Sequence, residues 1–263
     1  MDAARLKAEH VLYGLGLYRP ARALYRLTPS GRRAAQDRIC KRTFYSHLLK
    51  PGDLVFDVGA NLGNYAEIFA SLGAQVVALE PNPDCVSHIR RSYPGRSIDV
   101  VNTAVGASPG VATIRIAQRS DMSSMSADWI DAIRDAQKLD GSVWDNQLNV
   151  PVITLDSLVA KYGAPKYIKI DVEGFEENVL AGLSTLPELL SFEFNTNYLD
   201  TTFRCLDRLL HLSGCRFNFV IGEPHRLELD HWAEAGELRE KLRSLPSDRG
   251  YGDVFVRGSS SVS

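Results

Sequence analysis

The stretch Asp53-Leu-Val-Phe-Asp57-Val-Gly59-Ala-Asn61-Leu-Gly63-Asn-Tyr65 decides how the rest of the chain is read. Leu54 to Val58 is a short apolar run of strand formers, too short for a helix. Gly59 to Gly63 interrupts it with small residues, and Tyr65 to Leu72 resumes at helical spacing. The pattern predicts strand, tight glycine turn, helix. With no side chain at Gly59 and Gly63, the backbone can lie close to a ligand. The start of the helix offers free N–H groups to an anionic group. Asp57 falls near the carboxyl end of the strand, at the mouth of that turn.

The glycine spacing separates cofactor classes. A dinucleotide turn reads G-x-G-x-x-G, fitted to a pyrophosphate. Here the turn is Gly59-Ala60-Asn61-Leu62-Gly63, with no third glycine at the right offset. A cofactor without a pyrophosphate fits better. Glu80 opens Glu80-Pro81-Asn82-Pro83 at the end of the next expected strand, Gln75 to Glu80, and an acid there suits the two hydroxyls of a ribose. Ribose without pyrophosphate points to S-adenosylmethionine.

Four strings follow one another in order: Val55-Phe-Asp-Val-Gly-Ala-Asn-Leu-Gly63, Glu80-Pro-Asn-Pro83, Asn102-Thr-Ala-Val-Gly106 and Ile168-Lys-Ile-Asp171-Val-Glu173-Gly174. Together they resemble the FkbM family of S-adenosylmethionine-dependent methyltransferases, from about Leu49 to Arg257. The resemblance implies a Rossmann-like methyltransferase sheet of seven strands, mostly parallel, with the last strand antiparallel. The cofactor-binding set is then Asp57, Gly59, Ala60, Asn61, Gly63 and Tyr65 from the first string, and Glu80, Pro81 and Asn82 from the second. Asn102, Thr103 and Ala104 join from the third, and Asp171 and Glu173 from the fourth. The resemblance also puts a serine-rich loop near the cofactor, which singles out Ser123 and Ser124. It suggests hydroxyls of sugars, glycans or secondary metabolites as methyl acceptors.

At 263 residues the chain can form one large α/β domain. Strands alternating with helices imply a doubly wound sheet. The expected division is a helical N-terminal appendage over 1–50, a cofactor-binding domain over 51–257 and a polar tail over 258–263. Leu6, His10, Tyr13 and Leu17 recur at helical steps before Pro20, Ala21 to Leu27 is a second short helix, and Arg32 to Leu49 a third. Ser30 and Asp156 are expected helix caps. Val111 to Ala117 alternates as a hairpin strand. Arg119 to Asn149 is irregular, carries six aspartates, and reads as a cover over the site.

Residues 1–50 carry 11 Lys/Arg and 3 Asp/Glu, a charge of +8, while the remainder has 19 against 29, or −10. Such a split suggests that the arm has its own partner: an acidic surface of the same or another subunit, an anionic substrate, or the surface of a membrane. A solvated helical face explains it equally well. No apolar run approaches the length of a transmembrane helix. Val11 to Tyr18, followed by Ala21-Arg22-Ala23, has the outline of a leader, interrupted by Gly14 and Gly16. Cys40, Cys85, Cys205 and Cys215 show no metal spacing and read as reduced thiols of a cytoplasmic protein. The acidic catalytic part has no basic–aromatic interleaving, which argues against nucleic acid.

In open α/β sheets the ligand lies beyond the carboxyl ends of the strands. That edge collects Asp57, Glu80, Asn102, Asp171, Glu173, Glu193, Asn195, Glu223 and His225. Methyl transfer to an alcohol needs an in-line nucleophile and a base for its proton. Asp171, Glu193 and His225 are the catalytic candidates, with Glu173 also in reach. Lys169 shares a strand face with Asp171, so the two can pair. Asp171, Glu193 and Asn195 offer oxygen ligands suited to magnesium, although nothing in the sequence demands a metal. Two alternatives stay open: a nicotinamide-dependent oxidoreductase, and a non-catalytic binding protein on the same fold.

Overall fold

The computed structural model describes residues 18–25, 27–116, 146–212, 214–223, 226–246 and 250–258. Helices α1 (Tyr18–Tyr25) and α2 (Pro29–Ser46) precede β1 (Leu54–Val58), α3 (Asn64–Ser71), β2 (Gln75–Leu79), α4 (Pro83–Ser92) and β3 (Ile98–Val101). Then come β4 (Ala104–Val105), β5 (Gly110–Ile116), β6 (Asn146–Ile153), α5 (Leu155–Tyr162), β7 (Tyr167–Ile170), α6 (Glu176–Ala181) and β8 (Leu189–Asn195). The described part closes with α7 (Leu199–Leu210), β9 (Arg216–Ile221), α8 (Ala235–Arg243) and β10 (Tyr251–Arg257). The first expected helix, through Leu17, lies outside the described residues, as does most of the expected cover.

Seven strands form one sheet in the order β3-β2-β1-β7-β8-β10-β9. β10 runs antiparallel to both its neighbours, and the pairings among β3, β2, β1, β7 and β8 are parallel. This is the doubly wound, mostly parallel Rossmann-like sheet expected from the sequence. A second sheet, β4-β6-β5, branches off after β3 and was not foreseen as a unit. Its β5–β6 ladder runs antiparallel from Gly110 opposite Val152 to Ile116 opposite Asn146.

β7, Tyr-Ile-Lys-Ile, is buried at every position, as befits a central parallel strand covered on both faces. Alternate residues feed two cores. Phe56, Val58, Ile168, Ile170 and Phe192 pack with α5 to α8. Val55, Tyr167, Val76 and Phe255 pack on the other face with Phe69 of α3 and with Phe44 and Tyr45 of α2. The Tyr45 ring lies 4.8 Å from Phe69 and 5.8 Å from Tyr167, and Phe44 lies 5.4 Å from Phe255. The carboxyl-terminal half of α2 is therefore part of the core.

Two caps differ from expectation. Thr28, not Ser30, caps α2, its hydroxyl accepting the Gly31 N–H at 3.0 Å. Pro29 suits the first helical turn, where its missing N–H costs nothing, so the cap moves one residue ahead of it. Likewise Thr154, not Asp156, caps α5. Asp156 sits within the first turn and instead accepts from the backbone N–H and hydroxyl of Ser184, at 2.9 and 2.5 Å.

Candidate active site

The glycine turn is seated on the backbone that follows β7. Gly59 has φ +81°, and a β-carbon there would lie 1.8 Å from the carbonyl oxygen of Asp171. The N–H groups of Gly59 and Ala60 both donate to the carbonyl of Leu79, at 2.9 and 3.0 Å. The turn is thus clamped between the ends of β2 and β7. Asn61 follows at φ 48°, a left-handed conformation that asparagine tolerates better than most residues. Gly63, at φ +75°, starts α3.

Glu80 joins the two loops that open this pocket. Its Oε2 accepts the Asn61 N–H at 2.7 Å and its Oε1 accepts the Asn82 N–H at 2.8 Å. Burial pushes its carboxyl up to about 7, although these bonds oppose the shift. Asn82 caps α4 through its side chain, with Pro83 next, as the sequence predicts. Asn102 braces the same loop: its amide donates to the carbonyls of Glu80 and Pro81, both at 2.9 Å. The Thr103 hydroxyl is buried and donates to the carbonyls of Ala104 and Pro151, at 3.0 and 2.9 Å. Both residues therefore make internal bonds that shape the loop.

Asp57, next to last in β1, has a buried carboxylate, and its Oδ2 has no hydrogen-bond partner among the described residues. Burial raises its pKa to about 6, with Lys169 pulling down and Asp171 pushing up. Directly across the strand register lies Lys169, whose Nζ donates to Asp171 Oδ2 at 2.6 Å. Burial pulls the Lys169 pKa down, but Asp171, Asp253 and Asp57 outweigh it, so it ends above the ordinary lysine value.

Asp171, Glu173 and Glu193 converge. Each is half-buried, and each offers a carboxylate oxygen within 4.8 Å of the others. Glu173 takes φ 52°, which turns the loop. Glu176, at the start of α6, clasps that loop by accepting the Gly174 and Val172 N–H groups at 3.1 and 3.4 Å. Burial raises the Glu193 carboxyl well above its usual value, and the charges of Asp171 and Glu173 add to the shift. Asn195, at the end of β8, uses its Oδ1 to accept the Asn197 N–H at 2.9 Å.

Tyr65 and Glu223 flank this cluster, with the Tyr65 ring over Lys169. The Tyr65 hydroxyl donates to Glu223 at 2.9 Å, and Lys41 of α2 pairs with the same carboxylate at 2.6 Å. His225, Ser123 and Ser124 lie outside the described residues. Sequence reading missed Asp253, which is buried and lies opposite Glu193 in the register of β10 on β8. Burial pushes it up to about 6. A charge early in an otherwise apolar final strand is the signal that would have found it. An antiparallel strand begins at the edge where its parallel neighbours end. Lys41 carried no such signal, because only packing brings α2 to the site.

Residues 57–252 match the profile of the Methyltransferase FkbM domain. The hexuronic acid methyltransferase AglP of Haloferax volcanii is 29% identical over 142 residues, 53% of this chain and 54% of the relative. The chain thus spans about half the length of the curated relative it matches. Among solved structures, the precorrin-6y C5,15-methyltransferase of Geobacter metallireducens GS-15 is similar at 11% identity and a TM-score of 0.42, covering 84% of this chain and 88% of that one. The plantazolicin methyltransferase BpumL in complex with SAH is similar at 12% identity and a TM-score of 0.41, covering 90% and 95%. With the family profile running from the end of β1 into β10, the chain belongs to the FkbM methyltransferase family.

Proposed function

We propose that this chain moves a methyl group from S-adenosylmethionine to a hydroxyl of a sugar, glycan or secondary metabolite. The observation that carries the cofactor is the unpartnered, buried Oδ2 of Asp57 beside the glycine turn. A carboxylate oxygen left without a donor in the interior costs about 1–3 kcal/mol or more, and a cationic ligand with N–H donors answers that need. Glu80, across the same opening, retains lone pairs for ribose hydroxyls. S-adenosylmethionine supplies an activated methyl on a positive sulfur. Asp57, the turn from Gly59 to Gly63, and Glu80 would hold it, with the loop braced by Asn82 and Asn102.

The remaining steps fall to the protein's own residues. Asp171, Glu173 and Glu193 sit where β7 and β8 end, and one of them can take the acceptor hydroxyl's proton. Glu193 suits that role, because burial and the charges of Asp171 and Glu173 raise its carboxyl above the usual value and make its carboxylate a stronger base. Holding donor and acceptor in line supplies much of the rate, with effective molarities of roughly 10⁵ M or more attainable. The curated relative, a hexuronic acid methyltransferase, supports a sugar as acceptor. A cytoplasmic setting belongs to this reading, as do four unpaired thiols. None of the described helices is long and apolar enough to cross a membrane. The basic arm over 1–50 is assigned to assembly, acceptor contact or the surface of a membrane.

Calorimetry with S-adenosylmethionine, S-adenosylhomocysteine and NAD tests the cofactor. The first two should bind and NAD should not, and Glu80→Ala should weaken both by about 1.5–3 kcal/mol. Unchanged affinity in that variant removes Glu80 from the site. Transfer of labelled methyl to a panel of uronic acid and neutral glycosides then tests the acceptor. Labelling of none of them, with the cofactor bound, removes the sugar reading and leaves the secondary metabolites.

A further inference from the structure

Lys169 is 2% exposed and its partner Asp171 is 34% exposed. A purely structural ion pair in a core would seal both ends. Here the ammonium is closed off inside the sheet and only the carboxylate reaches the mouth of the site, so Lys169 can act on a ligand only through Asp171. The lysine is also held from every side. The Tyr65 ring covers it, with Nζ 4.3 Å from the ring centroid. Asp57 of β1 stands opposite in the register, and Asp253 of β10 adds its charge. Tyr65 is in turn fixed. Lys41 lies 4.6 Å from the same ring centroid, and Glu223 accepts from the tyrosine hydroxyl and pairs with Lys41. Taking an ammonium out of water is costly unless its partners are well placed. A tyrosine ring face and a 2.6 Å charge-assisted bond are such partners.

We infer that Lys169 is a positioning residue that sets the place of the Asp171 carboxylate at the mouth of the site through its buried ammonium. The inference rests on the proposed reading that Asp171 stands at the reacting centre. It gives the lysine a part in methyl transfer without contact to donor or acceptor. The aromatic roof and Lys41 of α2 are its outer supports, so α2 reaches the Asp171 carboxylate by a chain of contacts.

The test is a double-mutant cycle of Lys169→Met, Asp171→Asn and the double variant. It is read on S-adenosylmethionine affinity by calorimetry and on single-turnover transfer to methyl β-glucuronide. Each single variant should lower one of the two quantities by about tenfold or more, and the double variant should match Asp171→Asn within about twofold. Losses that multiply in the double variant overturn the inference, as does a silent Lys169→Met beside an impaired Asp171→Asn. Silence of all three variants also overturns it. A second measurement needs neither a ligand nor a folded methionine variant. In lysine-labelled protein, nitrogen NMR should show a slowly exchanging Lys169 ammonium, assigned with Lys169→Arg, that shifts or is lost in Asp171→Asn. A signal indifferent to Asp171→Asn refutes the pairing. Should the wild-type protein bind no S-adenosylmethionine at all, the proposed function fails, while the NMR measurement still decides whether Lys169 is held by Asp171.

Discussion

Gly59 shows how one residue can join two halves of a site. Its φ of +81° already disfavours any other residue, and its missing β-carbon leaves room for the Asp171 carbonyl. A methyl group at 1.8 Å from that oxygen cannot be accommodated by a side-chain rotation, because both partners are backbone. Gly59→Ala should therefore displace the turn from β7 and cost more than about 3 kcal/mol, since backbone strain and overpacking combine. Thermal unfolding monitored by circular dichroism checks this. A melting temperature within about 2 °C of wild type would mean that the two loops move apart freely. Gly52, also at positive φ but with open space around its α-carbon, is the internal control and should lose far less on the same substitution.

At the scale of elements, α2 behaves as two segments. Its amino-terminal part is solvated and basic, whereas Phe44 and Tyr45 enter the core against α3, β7 and β10. Arg38 of α2 also grips Glu67 of α3, which Arg96 pairs from the far side. Tyr45→Ala removes a buried ring with a hydroxyl 3.5 Å from that of Tyr167, itself 2.6 Å from Ser191. The expected loss is about 3–5 kcal/mol in a denaturant titration. Deleting residues 1–26, which end before the Thr28 cap, should instead leave the unfolding free energy within about 1 kcal/mol of wild type and leave S-adenosylmethionine affinity unchanged. It should alter oligomeric state or the acceptor's Michaelis constant. A truncated protein that loses cofactor affinity alone would contradict the role assigned to the arm.

Across the whole molecule, the site is an accumulation of buried acids. Burial raises Asp57 and Asp253 to about 6, and Glu80 and Glu176 to about 7. A carboxyl whose folded pKa exceeds its unfolded one holds its proton in the folded state after the unfolded chain has released it. These groups therefore cost stability as pH rises from their unfolded values, 3.8 for the aspartates and 4.5 for the glutamates, to about 6 and about 7, and the cost vanishes at pH well below the unfolded values. Glu176→Gln isolates one of them, since the amide oxygen can still accept from Gly174 and Val172 while the charge is gone. Relative to wild type, this variant should gain on the order of 1–3 kcal/mol between pH 5 and 8. Melting curves over that range check the sign. A difference between the two proteins that does not change with pH would show that Glu176 is ionised in both states throughout. Within the same electrostatic background, Lys169 and Lys41 are compensating charges, and bound donor cation would be a further one.

Local chemistry was enough to read the strand–turn–helix from Leu54, the Asn82 cap and the carboxyl edge that collects Asp57, Glu80, Asp171 and Glu193. Each depends on neighbours within a few residues or on a rule about where ligands meet sheets. The seven strands and the antiparallel last one followed from the resemblance carried by four strings, while their order came from the structure, since pairing between distant strands leaves no trace in periodicity. Packing decided the rest. The bonds from Glu80 to two loops, the sealing of Lys169 under Tyr65, the entry of Asp253 through an antiparallel strand and the reach of Lys41 from α2 all join residues far apart in sequence. The Thr28 and Thr154 caps are a smaller case, in which neighbouring candidates were both plausible and the helix geometry chose between them. The sequence by itself determined which residue types stand at the strand ends, because alternation and turn chemistry are local. Only the tertiary structure decided which of those groups meet, because contact, burial and the resulting shifts in charge arise when separate elements are brought together.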